Sequence, residues 1–122
     1  MAARRRFADR AARALGAAPA GYAITTLVRP SVLARPAMLG SSGSVDVLVR
    51  AVGARDAASG LAIAIAPAGT PQRLALAVRV LSDLGDAVSF GTADLPAEAR
   101  RKAVGVALVW GAVNALAFAA VR

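Results

Sequence analysis

Arg79, Asp83 and Asp86 stand four and three residues apart in the stretch LALAVRVLSDLGDAVSF, residues 74–90. At about 100° per residue that spacing puts the three charges on one helix face with Gln72 and Phe90, while Leu76, Val80, Leu81, Leu84 and Val88 cover the remainder. Two carboxylates in unlike surroundings can divide acid and base roles, with Asp83 held ionised by Arg79 and Asp86 left to carry a proton. An arginine beside them would steady developing negative charge. Arg79, Asp83 and Asp86 are therefore the candidate catalytic residues, in a set suited to epoxide opening, isomerisation or cyclisation of a lipophilic substrate.

A second charged group lies in VDVLVRAVGARDAASGLAIAIA, residues 45–66, where Arg50 is near one end and Arg55 and Asp56 are near the middle. Arg50, Arg55 and Arg79 formally balance Asp56, Asp83 and Asp86. An arginine or aspartate at the centre of a membrane-inserted helix costs roughly 2.5–3.5 kcal/mol, and a Leu, Val or Phe returns only about 0.3–0.6. Such charges must pair, so Arg79 is expected to bind Asp83 one turn along, and Arg55 to reach across to Asp83 or Asp86. Arg50, Arg55, Asp56, Tyr22 and Asn114 are the candidate ligand-binding residues.

What the chain lacks narrows its chemistry. It has no Cys and no His, which excludes disulfides, CxxC redox pairs, iron–sulfur clusters, Ser-His-Asp triads and ordinary zinc sites. No metal site and no cofactor is expected. The glycine-rich run at Gly40 and Gly43 carries neither GK[ST] nor GxGxxG, so it is not a phosphate loop.

The elements that must position these residues read as helices. Of 122 residues, 57% are hydrophobic, above the roughly 45–50% usual in a soluble domain. Residues 103–121 contain no charge and would extend about 28 Å as a helix. A helix in a soluble bundle needs a polar face, and here only Asn114 and the Trp110 indole supply one. The expectation is an all-α, antiparallel four-helix transmembrane bundle forming a single membrane domain. Its spans fall at about 15–28, 45–66, 72–91 and 103–121, after a short basic amino-terminal interfacial segment at 1–14. Within that segment Arg4, Arg5, Arg6, Arg10 and Arg13 flank Phe7, a composition suited to an anionic membrane surface. Pro30, Pro36, Gly40 and Gly43 mark a loop, with Ser44 as helix cap. Pro67, Gly69, Thr70 and Pro71 make a tight turn that sets the second and third spans antiparallel.

The net charge of +8 lies mostly in flanks rather than on one folded face, so lipid headgroups are a better partner than nucleic acid. Seven basic residues, among them Arg73 and Arg122, fall on the side of the amino terminus against five on the other. That bias places both termini in the cytoplasm of a multi-pass protein of the inner membrane.

RAVGARDAASGLAIAIAP followed by RVLSDLGDAVSF resembles a family of small bacterial four-span membrane proteins of DoxX-like architecture and no settled activity. Arg50, Gly53, Arg55, Asp56, Gly60, Arg79, Asp83 and Asp86 carry the likeness, and Asn114 departs from it where relatives often have an acid. It implies a fold and a membrane address. The cluster then admits an accessory or lipophilic-ligand-binding role first, an acid–base enzyme second, and proton or ion conduction third. Membrane lipids, a lipophilic small molecule, and a second copy or larger membrane protein are the expected partners.

Overall fold

The computed structural model describes residues 1–35 and 42–121. Pro36, Gly40 and Arg122, cited above for the loop and the charge bias, lie outside the described residues. Those residues form five helices: α1 (Ala2–Val28), the single turn α2 (Ser31–Ala34), α3 (Gly43–Ile65), α4 (Thr70–Thr92) and α5 (Ala97–Ala120).

The four long helices pack as two close pairs, α1 with α3 and α4 with α5, and the contact between the pairs is sparser. Small residues make the first pair close. A Cβ on Gly60 would lie 2.6 Å from the Gly16 carbonyl oxygen, and one on Gly53 would collide with the Thr26 hydroxyl, so only glycine fits at these crossings. Thr26, itself buried, donates its hydroxyl to the Ala23 carbonyl at 2.7 Å, so it brings no unpaired polar group into the contact. Pro19 sits inside α1 without ending it. Loss of a backbone hydrogen bond there costs about 3 kcal/mol, offset by the packing of Gly16, Ala20 and Ala23 against α3.

The chain reverses between α3 and α4 at Gly69, whose φ of +95° suits glycine alone. Gly69 is also the cap position of α4, so Thr70 is already helical and Pro71 follows in the first turn. Ser42 caps α3 in place of Ser44, its hydroxyl accepting from the Val45 amide at 3.2 Å. At the other end of α3, Arg13 donates to the carbonyls of Ala64 (2.5 Å) and Ala66 (3.0 Å), which have no partner within the helix.

The all-α reading stands; the four-span transmembrane reading does not. Among the described residues α5 is the only helix long and apolar enough to cross a membrane. The charges that drew attention in sequence are the reason. Asp46, Arg50, Arg55 and Asp56 interrupt α3, and Arg73, Arg79, Asp83 and Asp86 interrupt α4. In α1 the basic residues at 1–14 are no separate interfacial segment but the first half of a continuous 27-residue helix. Multi-pass topology and the placing of both termini on one side therefore lose their basis. In α5 only 17% of the most apolar stretch is buried in the molecule, so it is not a core helix wrapped by the others.

Ala12, Ile63, Leu76, Ala117 and Val121 form a small apolar core, but polar groups share the interior and many large apolar side chains lie outside it. Gln72 (0%), Asp83 (2%) and Asn114 (2%) are closed in, while Leu81 (68%), Val88 (67%) and Leu116 (72%) face outward. Val47, Leu48, Leu61 and Ile65 on α3 and Val106, Leu108 and Val109 on α5 are also exposed.

Candidate functional site

Opposite faces of α3 and α4 bring the charges together. Arg55 binds Asp86 through both terminal nitrogens, Nη1 to Oδ1 at 2.7 Å and Nη2 to Oδ2 at 2.6 Å. The same Nη2 reaches Asp56 Oδ1 at 2.9 Å. Asp56 also meets Arg79 Nη1 at 3.2 Å, and Arg79 Nε lies 3.2 Å from Asp83 Oδ1 one turn along its own helix. Arg79 Nη1 further donates to the Ser59 hydroxyl at 3.1 Å. From α5, Asn114 Nδ2 donates to Asp83 Oδ2 at 3.4 Å and to the Trp110 carbonyl at 2.9 Å. The result is one chain of contacts, Asp86–Arg55–Asp56–Arg79–Asp83–Asn114, joining three helices.

The chain of contacts is graded from outside to inside. Arg55, Asp56 and Asp86 are partly exposed at the α3–α4 seam, whereas Arg79 and Asp83 are enclosed. Between Leu15, Pro19, Gly60, Ile63, Arg79 and Asn114 the packing leaves no room for a water molecule. Burial pushes the Asp83 carboxyl above its ordinary range, against the pull of Arg79, and the neighbouring Asp56 and Asp86 charges push the same way. The Arg55 guanidinium is held more firmly protonated than usual, chiefly by its hydrogen bond to Asp86. Asp83, expected to be the carboxylate held ionised, is the one whose carboxyl burial pushes upward, and Asp86 is gripped by the Arg55 guanidinium.

Arg79, Asp83, Asp86, Arg55, Asp56 and Asn114 are brought together. Arg50 and Tyr22 are not. Arg50 is five residues before Arg55, about 140° round the helix, and is exposed. Tyr22 is half exposed on α1, its hydroxyl 3.5 Å from the Val32 carbonyl. Without Arg50 the balance of three and three becomes two guanidinium groups against three carboxylates. Among the described residues no group of His, Cys, Asp or Glu is placed to hold a metal ion.

Gln72, which is not among the candidate site residues, is buried with Asn114 in the interior. Gln72 Nε2 donates to the Ile63 carbonyl at 3.3 Å, and both Gln72 Oε1 and Asn114 Oδ1 are buried without a hydrogen-bond partner among the described residues. Gln72 shares its helix face with Arg79 and Asp83, which was the available signal.

Comparison with known protein families, curated proteins and solved structures gives no match. The likeness to the DoxX-like family therefore stands on the quoted motif residues alone.

Proposed function

We propose that this protein works at a membrane in an accessory role, with exposed apolar side chains against lipid or a lipophilic molecule and Arg79 and Asp83 turned inward. The supporting observation is the number of leucines and valines exposed on α3, α4 and α5 while Gln72, Arg79, Asp83 and Asn114 are buried beside Ile63 and Leu76. An exterior of that kind is stable where hydrocarbon, and not water, lies beside it. α5 is the element able to enter the bilayer. The arginines at the start of α1 suit an anionic leaflet.

In this reading the Arg/Asp chain of contacts is the device that fixes how α3, α4 and α5 face one another. Its carboxylates are occupied by guanidinium groups, which makes them poor general bases, and its inner half is closed to any substrate. Buried ion pairs are weak contributors to stability and better at specifying register and partner choice.

Cell fractionation tests the proposal. The protein should stay with the membrane through washes in high salt and alkaline carbonate and should need detergent for release. A Val109→Glu/Leu116→Glu variant, altered only on the exposed side of α5, should move to the wash while keeping its helical circular dichroism. Recovery of the unaltered protein in detergent-free buffer would overturn it.

A further inference from the structure

A groove of about 560 Å³ runs between the first half of α1 and the end of α5, and none of Arg55, Asp56, Arg79, Asp83 and Asp86 lines it. Its apolar walls include Leu15, Val113 and Leu116, and Arg4 and Arg5 stand at its rim. No carboxylate lines it. The volume falls within the roughly 300–1,000 Å³ typical of small-ligand sites. Neither the length of hydrocarbon wall nor the pair of guanidinium groups is used by the ion-pair chain of contacts.

We infer that this groove holds one anionic phospholipid, its phosphate between Arg4 and Arg5 and an acyl chain laid against Leu15, Val113 and Leu116. The inference rests on the membrane reading above and gives it a ligand and a place. Two features of the groove select that ligand together. A zwitterionic lipid would satisfy the walls but bring its own cation to the arginines, and a free phosphate would satisfy the arginines but leave the walls bare. The basic half of α1 is thereby explained as more than a flank: it is continuous with the half of the helix that packs on α3, and Arg4 and Arg5 line the groove.

Trp110, the only tryptophan, lies one helical turn before Val113 and reports on the groove. Protein in mild detergent is titrated with phosphatidylglycerol or phosphatidylcholine carrying brominated chains, and Trp110 fluorescence is followed. Saturable quenching by the anionic lipid, well above that by the zwitterionic one, is expected. Arg4→Ala/Arg5→Ala should weaken it roughly thirtyfold. Arg29→Ala/Arg35→Ala, which removes the same charge from exposed positions at the ends of α1 and α2, should change it little. Ala120→Phe, filling the groove from an exposed position, should abolish the saturable part. Equal quenching by the two lipids, equal losses in the two arginine pairs, or full displacement of the lipid by inorganic phosphate would overturn the inference. Each of those results leaves the membrane reading standing, whereas a protein that needs no detergent defeats that reading whatever the lipids do.

Discussion

Arg55 grips Asp86 with both ends of its guanidinium, at 2.7 and 2.6 Å, across 31 residues of sequence and the space between two helices. Bidentate geometry makes this the best-formed ion pair among the described residues, yet it is the outer and wetter of the two arginine centres. Asp86→Ala leaves Arg55 beside Asp56, at a cost of about 1 kcal/mol in unfolding free energy. Chemical unfolding followed by circular dichroism measures it.

Arg79 is the inner centre, and its loss is predicted to be far worse. Arg79→Met keeps the length of the side chain but leaves Asp83 enclosed and unpaired and Asp56 with one partner instead of two. Stranding a buried charge costs about 3–5 kcal/mol. The same unfolding assay should rank Arg79→Met well below Asp86→Ala; the reverse order would show that the inner pairs carry little.

Stability should depend on pH through Asp83. Its folded pKa is raised by burial, so its contribution is fully present below the unfolded value and is lost as pH rises through the folded one. Protonation there also brings the cluster to two positive and two negative charges. Between about pH 8 and pH 4 the protein should gain stability relative to Asp83→Asn, which mimics the protonated acid and lacks the titration. A gap that stays constant or moves the other way contradicts the assignment.

Gly60→Leu should pry α1 from α3. Its new side chain would meet the Gly16 carbonyl and the Ala20 backbone, and overpacking of a close contact typically costs about 1–3 kcal/mol, occasionally more. The α4–α5 pair has no part in that crossing, so hydrogen exchange should accelerate in α1 and α3 first.

Arg13→Met, which keeps the aliphatic stem, removes two charged hydrogen bonds to the last turn of α3. A loss of about 1.5–3 kcal/mol is expected, with faster exchange at the carboxyl end of α3.

The charged faces were legible in sequence because the spacing of Arg79, Asp83 and Asp86 is itself helical, and because Arg55 and Asp56 lie among residues too apolar to leave them unpaired. Arg55 meeting Asp86 was one of two partners the spacing allowed, and Arg79 meeting Asp83 was the local one. What could not be read depends on which helix lies opposite. Arg13 looks like one more surface arginine until the carboxyl end of α3 is set beside it. Arg50 enters the charge balance by its nearness to Arg55 in sequence, but it is exposed on another side of α3. The membrane topology is not legible for a related reason: length and overall apolar content make α3 and α4 look like spans, whereas the charges inside them leave α5 as the one helix among the described residues apolar enough to cross.

The left-handed glycine at position 69 closes the turn that sets α4 against α3, and every inter-helix ion pair is counted from it. One residue added between Gly69 and Arg79 would roll the rest of α4 by about 100° and advance it by about 1.5 Å, turning Arg79, Asp83 and Asp86 away from Arg55 and Asp56 together. One residue added between Ala93 and Leu95 leaves those acids where they are. The tolerance of this chain to length changes should therefore be lopsided, strict ahead of the arginine and slack behind Thr92, a pattern that a scan of single-alanine insertions would show.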